Sequence, residues 1–246
     1  MTDVAIIGGT GLTSLEQLEI IRREEAETPF GAPSGPLTYG VLNGKEVIFL
    51  PRHGAGHTIP PHKINYRANL WALKNAGVER IIAIAAVGGI ATDFPPMKLA
   101  IPDQIIDYTW ARKSTFFEEG LEEVTHVDFS YPYDDTLRQL LIQACSEANV
   151  SFCDSGTYGA TQGPRLETAA EINRYERDGC TMVGMTGMPE AVLARELDMA
   201  YATCAVSVNW AAGRSENLIT MEDIEKCLKE GMGNIKNMFE KLVSFL

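Results

Sequence analysis

Three of the chain's four histidines lie in one segment, PRHGAGHTIPPH (51–62), with Arg52, two glycines and three prolines. So much imidazole in one loop admits three chemistries. A metal site needs three or four converging ligands, and His53, His57 and His62 are spaced four and five apart. Pro60 and Pro61 prevent an α-helix from carrying His57 and His62 on one face. There is no HExxH motif, and none of the five cysteines is near. An anion site is the second chemistry: Arg52 and His53 would close a strand, with Gly54 letting the backbone approach a ligand. The third is a polar loop over the edge of a core.

Other residues with chemical potential sit at similar places. GGTGLTS (8–14) fits GxGxxG only as Gly9, Gly11 and Ser14, so a dinucleotide turn lacks its last glycine. The same stretch makes a nest of backbone N–H groups for a phosphate-sized anion, with the Thr10 hydroxyl beside it, or merely a tight turn. No P-loop lysine follows. The backbone at Ala86 and the hydroxyl of Thr186 add donors of the kind inorganic phosphate needs. Glu167 falls early in a helical pattern opened by Pro164, where an acid also suits the helix N-terminus. Asn209 follows the apolar run YATCAVSV and suits a turn. An amide beside a carboxylate is also a pair able to read a planar heterocycle.

These residues need a frame. Apolar runs at VAII (4–7), EVIFL (46–50), RIIAIAAV (80–87), TMVGM (181–185) and YATCAVSV (201–208) predict strands covered on both faces. Helical periodicity or capping predicts helices over 64–77, 134–148, 164–179, 189–198 and from Thr220 onward, where Thr220 and Asp223 form a cap pattern. The alternation predicts one α/β domain over 1–246, with a twisted, mostly parallel or mixed sheet flanked by helices. Ligands then belong beyond the C-terminal strand ends. The net charge of −12 argues against a nucleic-acid partner. No stretch reaches the roughly 18 consecutive apolar residues of a membrane span. The MTDVAIIGGTGL start has no basic region of a signal peptide. The five scattered cysteines read as reduced, mostly buried thiols of a cytoplasmic protein.

IIGGTGL, TPFGAPS, RHG..H..PP.K.NY.AN.WAL, A.GGI, THVDFSYPYD, TQGPRLET.AE, VGMTGMPE and VN..AG occur in that order along the chain. They resemble the trimeric purine nucleoside phosphorylase family, in its 5′-methylthioadenosine phosphorylase branch, and most resemble bacterial 5′-methylthioinosine phosphorylases. The resemblance implies a homotrimer with no metal and no organic cofactor, inorganic phosphate being a co-substrate. It implies that Thr10, Arg52, His53, Ala86 and Thr186 hold phosphate and that Met185 packs under the ribose. Leu166, Glu167 and Asn209 would meet the base, with Asn209, Glu167 and His53 as the catalytic set. His126 of a neighbouring subunit would close the 5′ pocket, and Met221 and Ile224 would receive the 5′-methylthio group. Departures from the branch define the substrate expected. Asn209 and Ala211 stand where methylthioadenosine phosphorylases have aspartates, Glu167 where they have serine, and Ala85 where a threonine helps hold phosphate. The implied site is an oxopurine pocket joined to a thioether pocket. The expected reaction is phosphorolysis of 5′-methylthioinosine to hypoxanthine and 5-methylthioribose 1-phosphate. Methylthioadenosine phosphorylase, a general 6-oxopurine phosphorylase and a noncatalytic nucleoside- or phosphate-binding protein are the alternatives.

Overall fold

The apolar runs assemble into one 11-stranded mixed sheet in the chain's structure, a computed structural model that describes residues 2–9 and 17–246. Thr10 and the rest of the glycine turn through Ser14 lie outside the described residues. The elements are β1 (Val4–Gly8), β2 (Glu19–Glu24), β3 (Leu37–Leu42), β4 (Lys45–Pro51), α1 (Tyr66–Asn75), β5 (Arg80–Gly89), β6 (Leu99–Ala100) and β7 (Gln104–Asp107). They continue with α2 (Asp135–Glu147), β8 (Phe152–Cys153), β9 (Thr157–Ala160), α3 (Ala169–Arg177), β10 (Met182–Gly184), α4 (Gly187–Glu196), β11 (Ala200–Trp210) and α5 (Met221–Leu242). The main path runs β2-β3-β4-β1-β5-β10-β9-β7, and β11 lies along β5.

Side-chain alternation along the central strands feeds two cores. Ala5 and Ile7 of β1 join Leu70, Leu73 and Leu193 from α1 and α4, whereas Val4 and Ile6 join Leu137, Leu141 and Phe239 from α2 and α5. A strand must present apolar groups to both faces when helices cover both, which is why these runs do not alternate with polar residues. β4, β1, β5 and β11 are mutually parallel. The hairpin β2-β3-β4 is antiparallel, as are the pairings of β10 with β5 and of β6 with β11, whereas β10 with β9, β6 with β8 and β7 with β9 are again parallel, so the sheet is mixed with parallel pairings in the majority. Asn43 and Gly44, both at positive φ (48° and 88°), make the tight turn between β3 and β4, the conformation that Asn-Gly tolerates best.

Caps set the helix limits. The side chains of Asn65, Asp134 and Thr220 accept from the backbone N–H of Ala68, Leu137 and Asp223. The helix expected from Pro164 begins only at Ala169. Thr168 and Glu171 form a reciprocal capping box, with Glu171 N–H donating to Thr168 Oγ1 (3.1 Å) and Thr168 N–H to Glu171 Oε2 (2.8 Å). Glu167 therefore precedes the helix instead of standing in its first turn. The five cysteines are free thiols. Among the described residues no helix is long and apolar enough to cross a membrane.

Candidate active site

The four parallel strands end side by side. Register pairs Gly8 with Pro51, Ala86 with Val206 and Gly88 with Asn209, the last across a bulge between Ser207 and Asn209. Residues in and just beyond these strand ends line a cleft with about 750 Å³ of empty space. The cleft gathers Arg52, His53, Ala86, Leu166, Glu167, Met185, Thr186, Asn209 and Ile224 from the predicted set. Its position follows the general rule that open α/β sheets bind ligands beyond strand C-termini.

At one end lies an ion pair that strand-end residues alone do not announce. Arg52 is 1% exposed. Its Nε and Nη2 donate to Glu190 Oε2 and Oε1 at 2.6 and 2.7 Å, and Nη1 donates to the Ile84 carbonyl at 2.8 Å. Tyr201 Oη donates to the same carboxylate at 2.9 Å. Burial alone would disfavour the guanidinium charge, but the Glu190 carboxylate outweighs it and keeps Arg52 charged. Gly9 makes room: a Cβ there would stand 2.6 Å from the Ile84 oxygen and 2.9 Å from Arg52 Nη1. Arg52 thus reaches the cleft as half of a fork-to-fork pair, not as a free cation.

His53 follows it, 5% exposed. Its Nδ1 lies 2.8 Å from the Ile59 carbonyl, and its ring centroid lies 4.5 Å from that of His57 with the planes tilted by 45°. Burial first, then the neighbouring Arg52 charge, lower its pKa to about 4, so the ring is neutral at neutral pH. Gly54 has φ of +76° and sits against the Ser34 carbonyl and the Ile59 side chain, so this turn itself calls for glycine. Among the described residues no cluster of His, Cys, Asp or Glu has the convergence of a metal site. Thr186 holds the N-cap position of α4 without a side-chain capping bond. Met188 (φ −118°, ψ 140°) interrupts the helical backbone just after it, so Thr186 offers the cleft its hydroxyl and not the end of a continuous helix.

At the other end, Glu167 Oε1 accepts from the Thr161 hydroxyl at 2.7 Å. Burial raises the pKa of Glu167, with the Thr161 bond opposing it. Asn209 Nδ2 donates to the Trp210 carbonyl at 2.7 Å, which leaves its second amide hydrogen and its oxygen. Met185 and Leu166 flank this end, and Ile224 brings an apolar group from α5. Met221, in the first turn of α5, is 66% exposed and lies off the cleft lining. His126 is exposed in a segment without regular structure, so the single chain does not bring it to the site.

Sequence patterns missed two residues that shape the cleft. One is Glu190. The other is Arg112, whose Nη1 donates to the carbonyls of Met185 (2.9 Å) and Met188 (2.6 Å) and whose Nη2 donates to those of Thr161 (3.1 Å) and Gln162 (2.9 Å). One guanidinium ties the Met185–Thr186 wall to the strand end that orients Glu167. No local signal marks it, because all four acceptors are backbone groups far along the chain.

Fold and cleft together define a single-domain α/β protein with a cleft at the ends of four parallel strands, lined by an ion-paired arginine, a histidine, a carboxylate and an amide. The chain belongs to the phosphorylase superfamily, whose family model matches residues 3–244. A probable S-methyl-5′-thioinosine phosphorylase of Pseudomonas syringae pv. tomato is 54% identical over 244 residues, covering 99% of each chain. A 6-oxopurine nucleoside phosphorylase of Pyrococcus furiosus is 47% identical over 235 residues, covering 94% of this chain and 88% of its own. Among solved structures, a methylthioadenosine phosphorylase from Schistosoma mansoni in complex with adenine matches with a TM-score of 0.95 at 30% identity, covering 100% of this chain and 92% of that one.

Proposed function

We propose that this protein is an enzyme that cleaves 5′-methylthioinosine with inorganic phosphate, releasing hypoxanthine and 5-methylthioribose 1-phosphate. The observation that carries this reading is that Glu167 and Asn209 line the same cleft as Arg52, His53 and Thr186. Phosphate would attack C1′ as the purine leaves, through a cation-like ribosyl transition state. The leaving base gains negative charge. The free amide hydrogen of Asn209 can donate to N7, and the Glu167 carboxylate can accept from N1–H. Preorganised contacts to developing charge contribute about 3–4 kcal/mol for one good donor. Arg52, His53 and Thr186 position phosphate, the proximity contribution. In this scheme the reaction uses no metal and no organic cofactor, because phosphate is the co-substrate and side chains stabilise the leaving base.

Base preference follows from pairing. Hypoxanthine offers N1–H and a 6-oxo group to a carboxylate and an amide. Adenine offers a bare N1, which would face the carboxylate as acceptor against acceptor. An unpaired buried polar group costs about 1–3 kcal/mol, enough for strong discrimination. The apolar Ile224 favours a thioether over a 5′-hydroxyl, with Met221 joining it. A panel of methylthioinosine, methylthioadenosine, inosine and adenosine, each with and without phosphate, tests the reading. Methylthioinosine should be preferred, and Asn209→Asp should shift the ratio toward the adenine nucleoside, since a protonated aspartate donates to N7 and accepts from the 6-amino group. Equal turnover of methylthioadenosine by the wild type, or an unchanged ratio in Asn209→Asp, overturns the assignment. Release of base without phosphate would overturn phosphorolysis.

Arg112 should act through both walls of the cleft. Arg112→Ala is expected to raise KM for the nucleoside about tenfold or more, because misplacing a wall by about 1 Å can cost two orders of magnitude. Unchanged steady-state constants would remove it from the positioning frame.

We further infer that the protein works in the cytoplasm as a homotrimer in which His126 of one copy closes the 5′ end of the next copy's cleft. Supporting this, His126 lies in the segment that also exposes Val124 (74%) and Tyr131 (74%), and Met221, one turn before the cleft-lining Ile224, is left exposed. A heterologous contact of this kind closes naturally into a ring. Light scattering of the active enzyme should give three chains, and an active monomer would refute the arrangement.

A further inference from the structure

We propose that His53 meets phosphate as a hydrogen-bond acceptor, so that the anion end of the cleft selects an oxyanion that still carries a proton. The proposal rests on the phosphorolytic reading and adds the form of the anion it takes.

The argument begins with the Ile59 carbonyl, 2.8 Å from Nδ1 of His53. A carbonyl oxygen only accepts, so Nδ1 carries the hydrogen. In a neutral imidazole the other ring nitrogen, Nε2, then has a bare lone pair. A second proton is opposed by burial and by the neighbouring cations, which outweigh the support that the Ile59 hydrogen bond gives the charged ring. The ring is 5% exposed, the Arg52 guanidinium is the adjacent charge, and the ring of His57 lies against it at 4.5 Å. The buried carboxylate nearby, Glu190, offers no relief: both its oxygens are engaged by Arg52, and Oε1 also by Tyr201. Protonation accordingly waits until about pH 4.

The same ion pair sets the charge of the cradle. Arg52 and Glu190 cancel, and His53 is neutral, so these three residues present no net positive charge to an incoming anion. A fully deprotonated tetrahedral dianion would meet the lone pair of Nε2 with one of its own. A phosphate P–OH would instead donate to it. Acceptor against acceptor leaves a buried polar group unpaired, whereas the protonated anion satisfies both partners.

Three tetrahedral anions separate these cases. At neutral pH phosphate and arsenate each keep at least one proton, and sulfate keeps none. Calorimetric titration of the wild type at constant ionic strength should show phosphate and arsenate binding with similar constants and sulfate about tenfold more weakly or worse. His53→Lys places a donor in the same position and should erase that preference, and a melting curve checks that it folds. Sulfate binding to the wild type as tightly as phosphate would overturn the proposal, as would a folded His53→Lys that keeps the wild-type preference. The titration needs no turnover. A protein that releases no base with phosphate yet discriminates against sulfate would refute phosphorolysis while supporting the acceptor role of His53.

Discussion

Glu190→Gln is expected to melt on the order of 10 °C below the wild type, with the protein concentration held fixed. Glu190 is fully buried and holds the Arg52 guanidinium through two short bonds. Removing one member of a buried pair costs about 3–5 kcal/mol, because the remaining charge has lost its partner but not its burial. For a chain of this length each kcal/mol shifts Tm by about 2–4 °C. Glutamine preserves shape, so the loss reads as charge and not as a cavity. It also turns an amide N–H2 toward a guanidinium, donor against donor. The double variant Arg52→Met with Glu190→Gln should recover much of the loss, since removing both partners is far milder than removing one. A Glu190→Gln protein melting within about 2 °C of the wild type, roughly 1 kcal/mol, would mean that the pair does not carry the buried charge. The same geometry bears on Arg52→Ala. That change strands Glu190, so any weakening of phosphate use would come mixed with lost stability.

Glu167→Ala is expected to lower kcat/KM for the 6-oxopurine nucleoside by about a hundredfold to a thousandfold, the range for losing one preorganised contact to developing charge. The carboxylate is half of base recognition, and Thr161 fixes one of its oxygens. Glu167→Gln should lose less, roughly tenfold, because its amide oxygen still accepts from N1–H but without charge assistance. The pH profile gives an independent check. Burial raises the pKa of Glu167 above the usual glutamate value, and the protonated form cannot accept from N1–H. Turnover of the oxopurine substrate should therefore fall as pH drops through that raised pKa. Glu167→Gln should lack this acidic limb. A variant that keeps the limb assigns it to another group, and an Ala variant with nearly full activity removes Glu167 from the chemistry.

Much of the cleft was legible before any coordinates. Apolar runs at 80–87 and 201–208 could only be strands covered on both faces, and parallel strands place their following residues at one edge. Arg52, His53, Ala86, Thr186 and Asn209 were candidates on that reasoning, although Ala86 proves to lie within β5 and Thr186 follows β10, which runs antiparallel to β5. The Asn43–Gly44 turn and the Thr168–Glu171 capping box emerged only with the structure, and the second corrects the start of α3 and the setting of Glu167.

What the sequence by itself determined, then, is the order of elements, the strand ends that face the ligand and the residue types standing there. Tertiary structure alone decided what those residues can do. Arg52 is an ion-paired guanidinium because Glu190, 138 residues away, is brought beneath it. His53 is a neutral ring with a fixed hydrogen because one carbonyl, that of Ile59, lies against Nδ1. Arg112 is a clamp because two walls distant in sequence turn their carbonyls toward it. Periodicity records which face of an element is buried. It does not record which distant element meets that face, and charge, tautomer and hydrogen-bond role are properties of the meeting.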